Sequence, residues 1–243
     1  MAQGTRVTRN LFYGNSTDDI LMEVDHGPYL IDNNLLMSGC SIRDVSEAGA
    51  FAQNLIAGLV DDTPDTSRLT PFLRAHSTQV AGLSRTKGGD DRYYNNLFVE
   101  PSATIRTNEA PPRFAGYGLW VYNTREYQLQ TGGNAYYNGA RPYSREYGSA
   151  VITADNPHLE LIEDGEDVFI QMTLGNAIQG SKTSLVTTER LGLTKVSGLP
   201  YENPEGSPLK IDRDYFDSPR SPSNPGVGPF ANSNPGTTRF RVW

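Results

Sequence analysis

The sequence predicts an all-β fold: a parallel β-helix (a solenoid) with a C-terminal β-hairpin region and an extended Pro-rich strap. Three observations predict it. An Asn followed by apolar residues recurs along the first half; 24 Gly and 16 Pro interrupt the chain while long helical patterns are few; and the character of the sequence changes near Thr153.

The repeat comprises Arg9-Asn10-Leu11-Phe12, Asn33-Asn34-Leu35-Leu36, Gln53-Asn54-Leu55-Ile56, Asn95-Asn96-Leu97-Phe98 and, more weakly, Gly133-Asn134-Ala135-Tyr136-Tyr137. The first apolar residues fall at 11, 35, 55, 97 and 135, in steps of 24, 20, 42 and 38. The first two steps are one period each. The last two are two periods, or one with a long excursion. Self-similarity at about 20 residues signals a solenoid. The helix and Leu-x-x-Leu-x-Leu spacing of a leucine-rich repeat are absent. Within a unit, Asp19–Val24 alternates as a strand does, His26-Gly27-Pro28 is a turn, Tyr29–Ile31 is a strand and Asp32-Asn33-Asn34 a corner. Stacked repeats lie about 4.8 Å apart, so corner asparagines can form a ladder of side-chain amides. The alternative is that Asn merely marks turns.

Asp61–Arg74 and Glu100–Gly116 are polar, Pro-containing excursions of the kind that carry function on a rigid scaffold. Beyond Thr153, Asp155–Asp167 holds six acids, and Leu159, Leu161 and Val168–Leu174 read as a hairpin turning at Asp164-Gly165. Leu185–Leu193 reads as a further strand. Ser197–Trp243 contains eight of the sixteen prolines but also Tyr201, Tyr215, Phe216, Phe230, Phe240 and Trp243, so it is expected to pack as a strap. The domain reading is 1–152 for the repeats with the candidate site and 153–243 for strands and tail packed on them. Because Thr5–Asn15 already reads as part of a repeat with no cap before it, the chain is expected to be the C-terminal portion of a longer protein.

Composition narrows the function. The 243 residues carry 21 Lys and Arg against 28 Asp and Glu, a formal charge of −7, without basic clusters. Nucleic acid and anionic membranes are therefore not expected partners. No apolar run approaches the roughly 18 residues of a spanning helix. The single Cys40 excludes an intramolecular disulfide and a Cys-based zinc site. Three His with no tight His/acid spacing argue against a catalytic metal, and no cofactor is expected. Without a visible signal, a cytoplasmic location is weakly favoured. A homo-oligomer is compatible with the sequence.

Two segments concentrate reactive groups: Glu23-Val24-Asp25-His26-Gly27-Pro28 and Arg43-Asp44-Val45-Ser46-Glu47-Ala48-Gly49. Asp25 and Glu47 are 22 residues apart, about one repeat, so their carboxyls are expected to stack. A separation of about 5 Å suits a retaining glycosidase, in which one carboxylate attacks the sugar and the other group protonates the leaving oxygen. Two like charges so close also raise one pKa, which supplies the acid form. The register also allows Glu23 with Asp44 or Glu47, and Asp25 with Asp44, and all could be solvent-facing corner residues. His26 and His76 could bond a sugar hydroxyl or orient a carboxylate. Gly88-Gly89-Asp90-Asp91-Arg92 reads as an Asp–Arg pair fixing a corner, ahead of a calcium loop. Arg43 beside Asp44 reads the same way. Trp120, Tyr122, Tyr127, Tyr136, Tyr137 and Tyr143 could serve as sugar platforms, although most are expected to stack within the repeats.

The run DHGPYLIDNNLLMSGCSIRDVSEAGAFAQNLIAG, then TPFLRAHSTQVAGL, GGDDRYYNNLFV, LVTTERLG, ENPEGSPLKIDRDYF and NPGVGPF, resembles right-handed parallel β-helix proteins of the glycoside hydrolase family 120 type. The resemblance runs in order over nearly the whole chain. It implies a retaining β-xylosidase that releases xylose from xylo-oligosaccharides, with the family's early coils and inserted β-sandwich missing here. It implies Asp25 as nucleophile and Glu47 as acid/base. His26, His76, Asp90, Asp91 and Arg43 become candidates for binding the sugar. Two rivals stand beside it. One is a β-helix enzyme of uronic polysaccharides, which would need a basic groove; the other is a non-catalytic carbohydrate-binding or structural module.

Overall fold

A computed structural model describes residues 3–101, 115–153 and 155–243. Most of the Glu100–Gly116 excursion therefore lies outside the described residues. The fold is nearly all-β, with largely parallel sheets and almost no helix. In its first part the chain visits three stacks in rotation. The first stack orders Arg6–Thr8, Tyr29–Asp32, Gly49–Ala52, Arg92–Tyr94 and Gln130–Gly132 side by side, all parallel. The second orders Leu11–Phe12, Leu35–Leu36, Leu55–Ile56, Leu97–Val99, Ala135–Tyr137 and Ala150–Ile152. In the third, Asp18–Met22, Cys40–Asp44 and Leu59–Asp62 run parallel, and Ala115–Gly116 closes the edge antiparallel.

Register decides how the irregular steps of the repeat are to be read. In the second stack Leu11 faces Leu35, Leu35 faces Leu55, Leu55 faces Leu97 and Leu97 faces Ala135. Each step, long or short, therefore advances the stack by one strand. The long step from Leu55 to Leu97 contains an antiparallel hairpin, Thr70–Leu73 with Val80–Ser84. The polar stretch taken as a loop thus ends in a strand, and it begins in another, Leu59–Asp62.

The asparagine ladder is present. The backbone N–H and Nδ2 of Asn10 both donate to Asn34 Oδ1 (3.0 and 3.2 Å), those of Asn34 to Asn54 Oδ1 (2.9 and 3.1 Å), those of Asn54 to Asn96 Oδ1 (3.0 Å each) and those of Asn96 to Asn134 Oδ1 (2.8 and 3.1 Å). The residue before each ladder Asn has positive φ: Arg9 57°, Asn33 54°, Gln53 60°, Asn95 57° and Gly133 68°. That left-handed residue turns the chain from the first stack into the second, and the bonded amide offsets its steric cost. Glu146 ends the ladder: its carboxyl accepts from Asn134 Nδ2 at 2.7 Å and from the Tyr136 hydroxyl at 2.6 Å.

Inside the stacks, Phe51 lies on Tyr93 (centroids 4.4 Å apart, 3° between planes) and Phe98 on Tyr136 (4.9 Å, 4°). Equivalent positions of successive repeats carry flat rings that stack, each such pair worth roughly 1 kcal/mol beyond its burial. A second cluster joins Leu35, Leu55 and Leu97 to Ile170, Met172, Phe230 and Val242 from the later chain.

The later chain contains the expected hairpin, Glu160–Asp164 with Asp167–Leu174. The last strand, Gly236–Arg241, adds to it antiparallel, so the tail ends in regular sheet. Leu185–Leu193 is different from its expected strand. Only Val186–Thr187 is extended, and Thr188–Leu191 forms a helical turn capped by the Thr187 side chain, which accepts from Arg190 N–H at 3.2 Å. Arg220, a buried residue of the strap, donates to Asn33 Oδ1 (2.7 Å) and to the carbonyls of Arg213, Pro225, Gly228 and Pro229. Extended Pro-rich chain lacks ladder partners, and a buried guanidinium with five donors supplies them.

Candidate active site

Asp25, His26 and Glu47 come together where the third stack turns into the first. Met22 faces Asp44 in register, and the next segments stay stacked: Val45 N–H donates to Met22 O (2.9 Å) and Glu47 N–H to Asp25 O (3.1 Å). Asp25 N–H donates to Ser46 Oγ (2.9 Å), and Gly27 N–H closes a tight turn on Asp25 Oδ1 (2.8 Å). Gly27 has φ 61°, and a Cβ there would lie 2.2 Å from Ala48 O, so this close approach of two repeats needs glycine.

His26 Nδ1 lies 2.6 Å from Glu47 Oε1, and its Nε2 lies 3.2 Å from Thr70 O on the hairpin. Phe72 meets the imidazole edge-on at 6.0 Å. The other oxygen of Glu47 accepts from Lys87 N–H at 2.8 Å. Asp25, His26 and Glu47 are each 1% exposed. Burial tends to strip the proton from His26, but the Glu47 carboxylate and the facing carbonyls outweigh it and raise its pKa.

A set of buried acids lies behind this pair. Asp44 accepts from Ser46 N–H (2.9 Å) and from the Tyr122 hydroxyl (3.0 Å), which also pairs with the Tyr93 hydroxyl (2.9 Å). Asp62 pairs with Arg125. Asp91 Oδ1 accepts from Gly49 N–H at 2.7 Å. Burial, chiefly, pushes Asp44 up to about 6 and Asp62 up to about 7, and like charges add to both. Asp91 rises well above the usual carboxylate range through burial and through Asp44, Asp62 and Asp90.

The other sequence candidates fall as follows. Asp90 is buried and pairs with Arg92 at 3.0 Å while accepting from Lys195 N–H at 2.7 Å. His76 is exposed and faces Glu202 at 3.1 Å. Arg43 is half-exposed on the third stack between Asp18 and Asp61, 3.4 Å from each, and its expected partner Asp44 points elsewhere. Asp62, Arg125 and Thr70 were not singled out, and Tyr122, named only as a possible sugar platform, lies buried against Asp44 and Tyr93. Asp62 had a signal: it faces Asp44 one repeat on, which a register extended past Asp61 would have revealed. Among the described residues no group of three His, Cys, Asp or Glu could hold a metal ion, and no helix is long and apolar enough to cross a membrane.

No protein-family model and no curated protein matches this chain. Among solved structures, the chain is similar to XylC, whose structure was solved in complex with xylose. The TM-score is 0.89 and the identity 33% over all of this chain. The chain spans 40% of the length of XylC.

Proposed function

We propose that this chain carries the catalytic carboxyls of a retaining glycoside hydrolase that releases β-linked xylose from xylo-oligosaccharides. It would be a right-handed parallel β-helix enzyme of the family 120 type. The observation that carries the proposal is the stacking of Asp25 under Glu47 through the Glu47 N–H to Asp25 carbonyl bond, in a fold similar to one solved with xylose.

In this reading Asp25, oriented by the Gly27 N–H, attacks the anomeric carbon. The C1–O bond breaks while Glu47 delivers a proton to the departing oxygen. Glu47, now a carboxylate, takes a proton from water, and that water displaces Asp25 with net retention. The chemistry needs two carboxyls and water, and no cofactor enters. His26 bonds Glu47 itself; Asp90, Asp91, Arg43 and His76, each held by a partner in the fold, stay the proposed sugar contacts of this reading.

The test is hydrolysis of an aryl β-xyloside by the chain and by Asp25→Ala and Glu47→Ala, the second with and without azide. Asp25→Ala abolishes turnover. Glu47→Ala slows it by about 10²- to 10⁴-fold, the usual share of a general acid/base. Azide, which needs no base, restores turnover to that variant as a xylosyl azide. Equal turnover in all three proteins overturns the proposal.

A further inference from the structure

Donor and acceptor accounting around His26 gives a result that goes beyond the two-carboxylate reading and rests on it for its kinetic consequences. A backbone carbonyl can only accept. Nε2 faces the Thr70 carbonyl, so Nε2 carries hydrogen. Nδ1 and Glu47 Oε1 then face each other at 2.6 Å, and a hydrogen bond there needs one proton between them. The pair is either imidazolium with carboxylate or imidazole with carboxylic acid. Both forms hold one exchangeable proton and both are neutral overall. The Lys87 N–H at the second carboxyl oxygen, and the burial of both side chains, leave no other arrangement that satisfies every group.

We propose that His26 is a positioning residue that shares its Nδ1 proton with Glu47 and so keeps the acid/base loaded at neutral pH. The proton departs from the pair with the leaving oxygen when the glycosyl–oxygen bond breaks. It is replaced by the proton taken from the attacking water, so the pair is unchanged over a cycle. The charged groups around it are negative on the repeat side: Asp25 next in sequence, and Asp44 and Asp90, whose charges act with that of Glu47. The hairpin side offers Thr70 and Ser84 carbonyls and the Phe72 ring. Lys87 turns its ammonium to Glu126 at 2.7 Å. This surrounding negative field holds the shared proton.

Two measurements on the full chain test this. The first is nitrogen NMR of ¹⁵N-histidine-labelled protein, which reads proton occupancy whether or not the protein turns over. Of the three histidines, the one lost in His26→Asn keeps both ring nitrogens protonated above pH 7, and in Glu47→Gln it becomes the neutral Nε2–H tautomer. A His26 Nδ1 that at pH 6 shows neither its own proton nor a hydrogen bond from the Glu47 carboxyl, or a signal unaltered by Glu47→Gln, overturns the proposal. The second is the pH profile of aryl xyloside hydrolysis by His26→Asn, whose amide can still donate to Glu47 but cannot share a proton. Its alkaline limb moves to lower pH, turnover at pH 7 falls at least 10-fold, and activity returns on acidification. A uniform loss at every pH marks a merely structural role. Absence of hydrolysis in the wild type with the expected NMR result rejects the glycosidase reading and leaves the shared proton standing.

Discussion

The ladder makes a quantitative prediction at Asn54. Its Oδ1 accepts the backbone N–H and Nδ2 of Asn34, and its Nδ2 donates to Ile31 O (2.9 Å) and Asn96 Oδ1. In Asn54→Ala, Asn34 Nδ2 still reaches Val7 O and Asp32 O, and Asn96 Oδ1 still accepts from the residue-54 N–H. The buried Asn34 N–H and the Ile31 carbonyl lose the side chain as partner. An orphaned buried polar group costs about 1–3 kcal/mol, so the substitution should destabilise by roughly 2–6 kcal/mol. Asn10, at the ladder's outer end, accepts from no further Asn among the described residues, and its Nδ2 bonds are partly exposed. Asn10→Ala should cost about 1 kcal/mol or less. Urea unfolding of both variants, compared at their midpoints with unchanged slope, measures the difference. Equal costs at the two positions would refute the view that buried amide stacking holds the repeats in register.

Two further outcomes follow from the same structure. Burial raises Glu146 to about 7 from 4.5. The folded state therefore binds this proton more tightly than the unfolded chain, and the stability it confers is complete below about pH 4.5 and lost as pH rises through about 7. Wild type should lose up to about 3 kcal/mol relative to Glu146→Gln between pH 4.5 and pH 8, read by urea midpoints across pH, and parallel curves would contradict the assignment. Gly27→Ala forces a methyl against the Ala48 carbonyl at a left-handed residue, so the repeats separate there. Turnover and the His26–Glu47 NMR signature should both be lost while circular dichroism keeps its β signal; normal turnover would show that this approach is not needed.

Much of the first part was legible because a stacked repeat writes its period into the sequence. Each ladder Asn sits at a corner that only a left-handed residue can turn, and of the apolar pair after it the first residue packs toward the later chain and the second among the stacked repeats. The steps of 42 and 38 were ambiguous, since spacing does not reveal whether inserted chain returns to the same stack; the parallel register does. The stacking of Asp25 and Glu47 segments followed from the same period. What local sequence could not carry is long-range pairing. Glu146 reads as one more acid until the end of the ladder reaches it. Arg220 acquires meaning only from the strap carbonyls and the Asn33 side chain that folding brings around it. The strand Gly236–Arg241 has no strong alternation, and its partner Asp167–Leu174 supplies the register. The acids Asp44, Asp62 and Asp91 look like solvated charges in sequence, and burial beside tyrosines changes their protonation.

The most direct measurement on the catalytic account is covalent trapping with an activated 2-deoxy-2-fluoro-xyloside, followed by peptide mapping. The fluorine slows hydrolysis of the glycosyl-enzyme more than its formation, so the nucleophile stays labelled. The account predicts one label per chain, on the peptide that contains Asp25, and none in Asp25→Ala. A label on another carboxylate, or a chain that hydrolyses the parent xyloside with Asp25 unmodified, would contradict it.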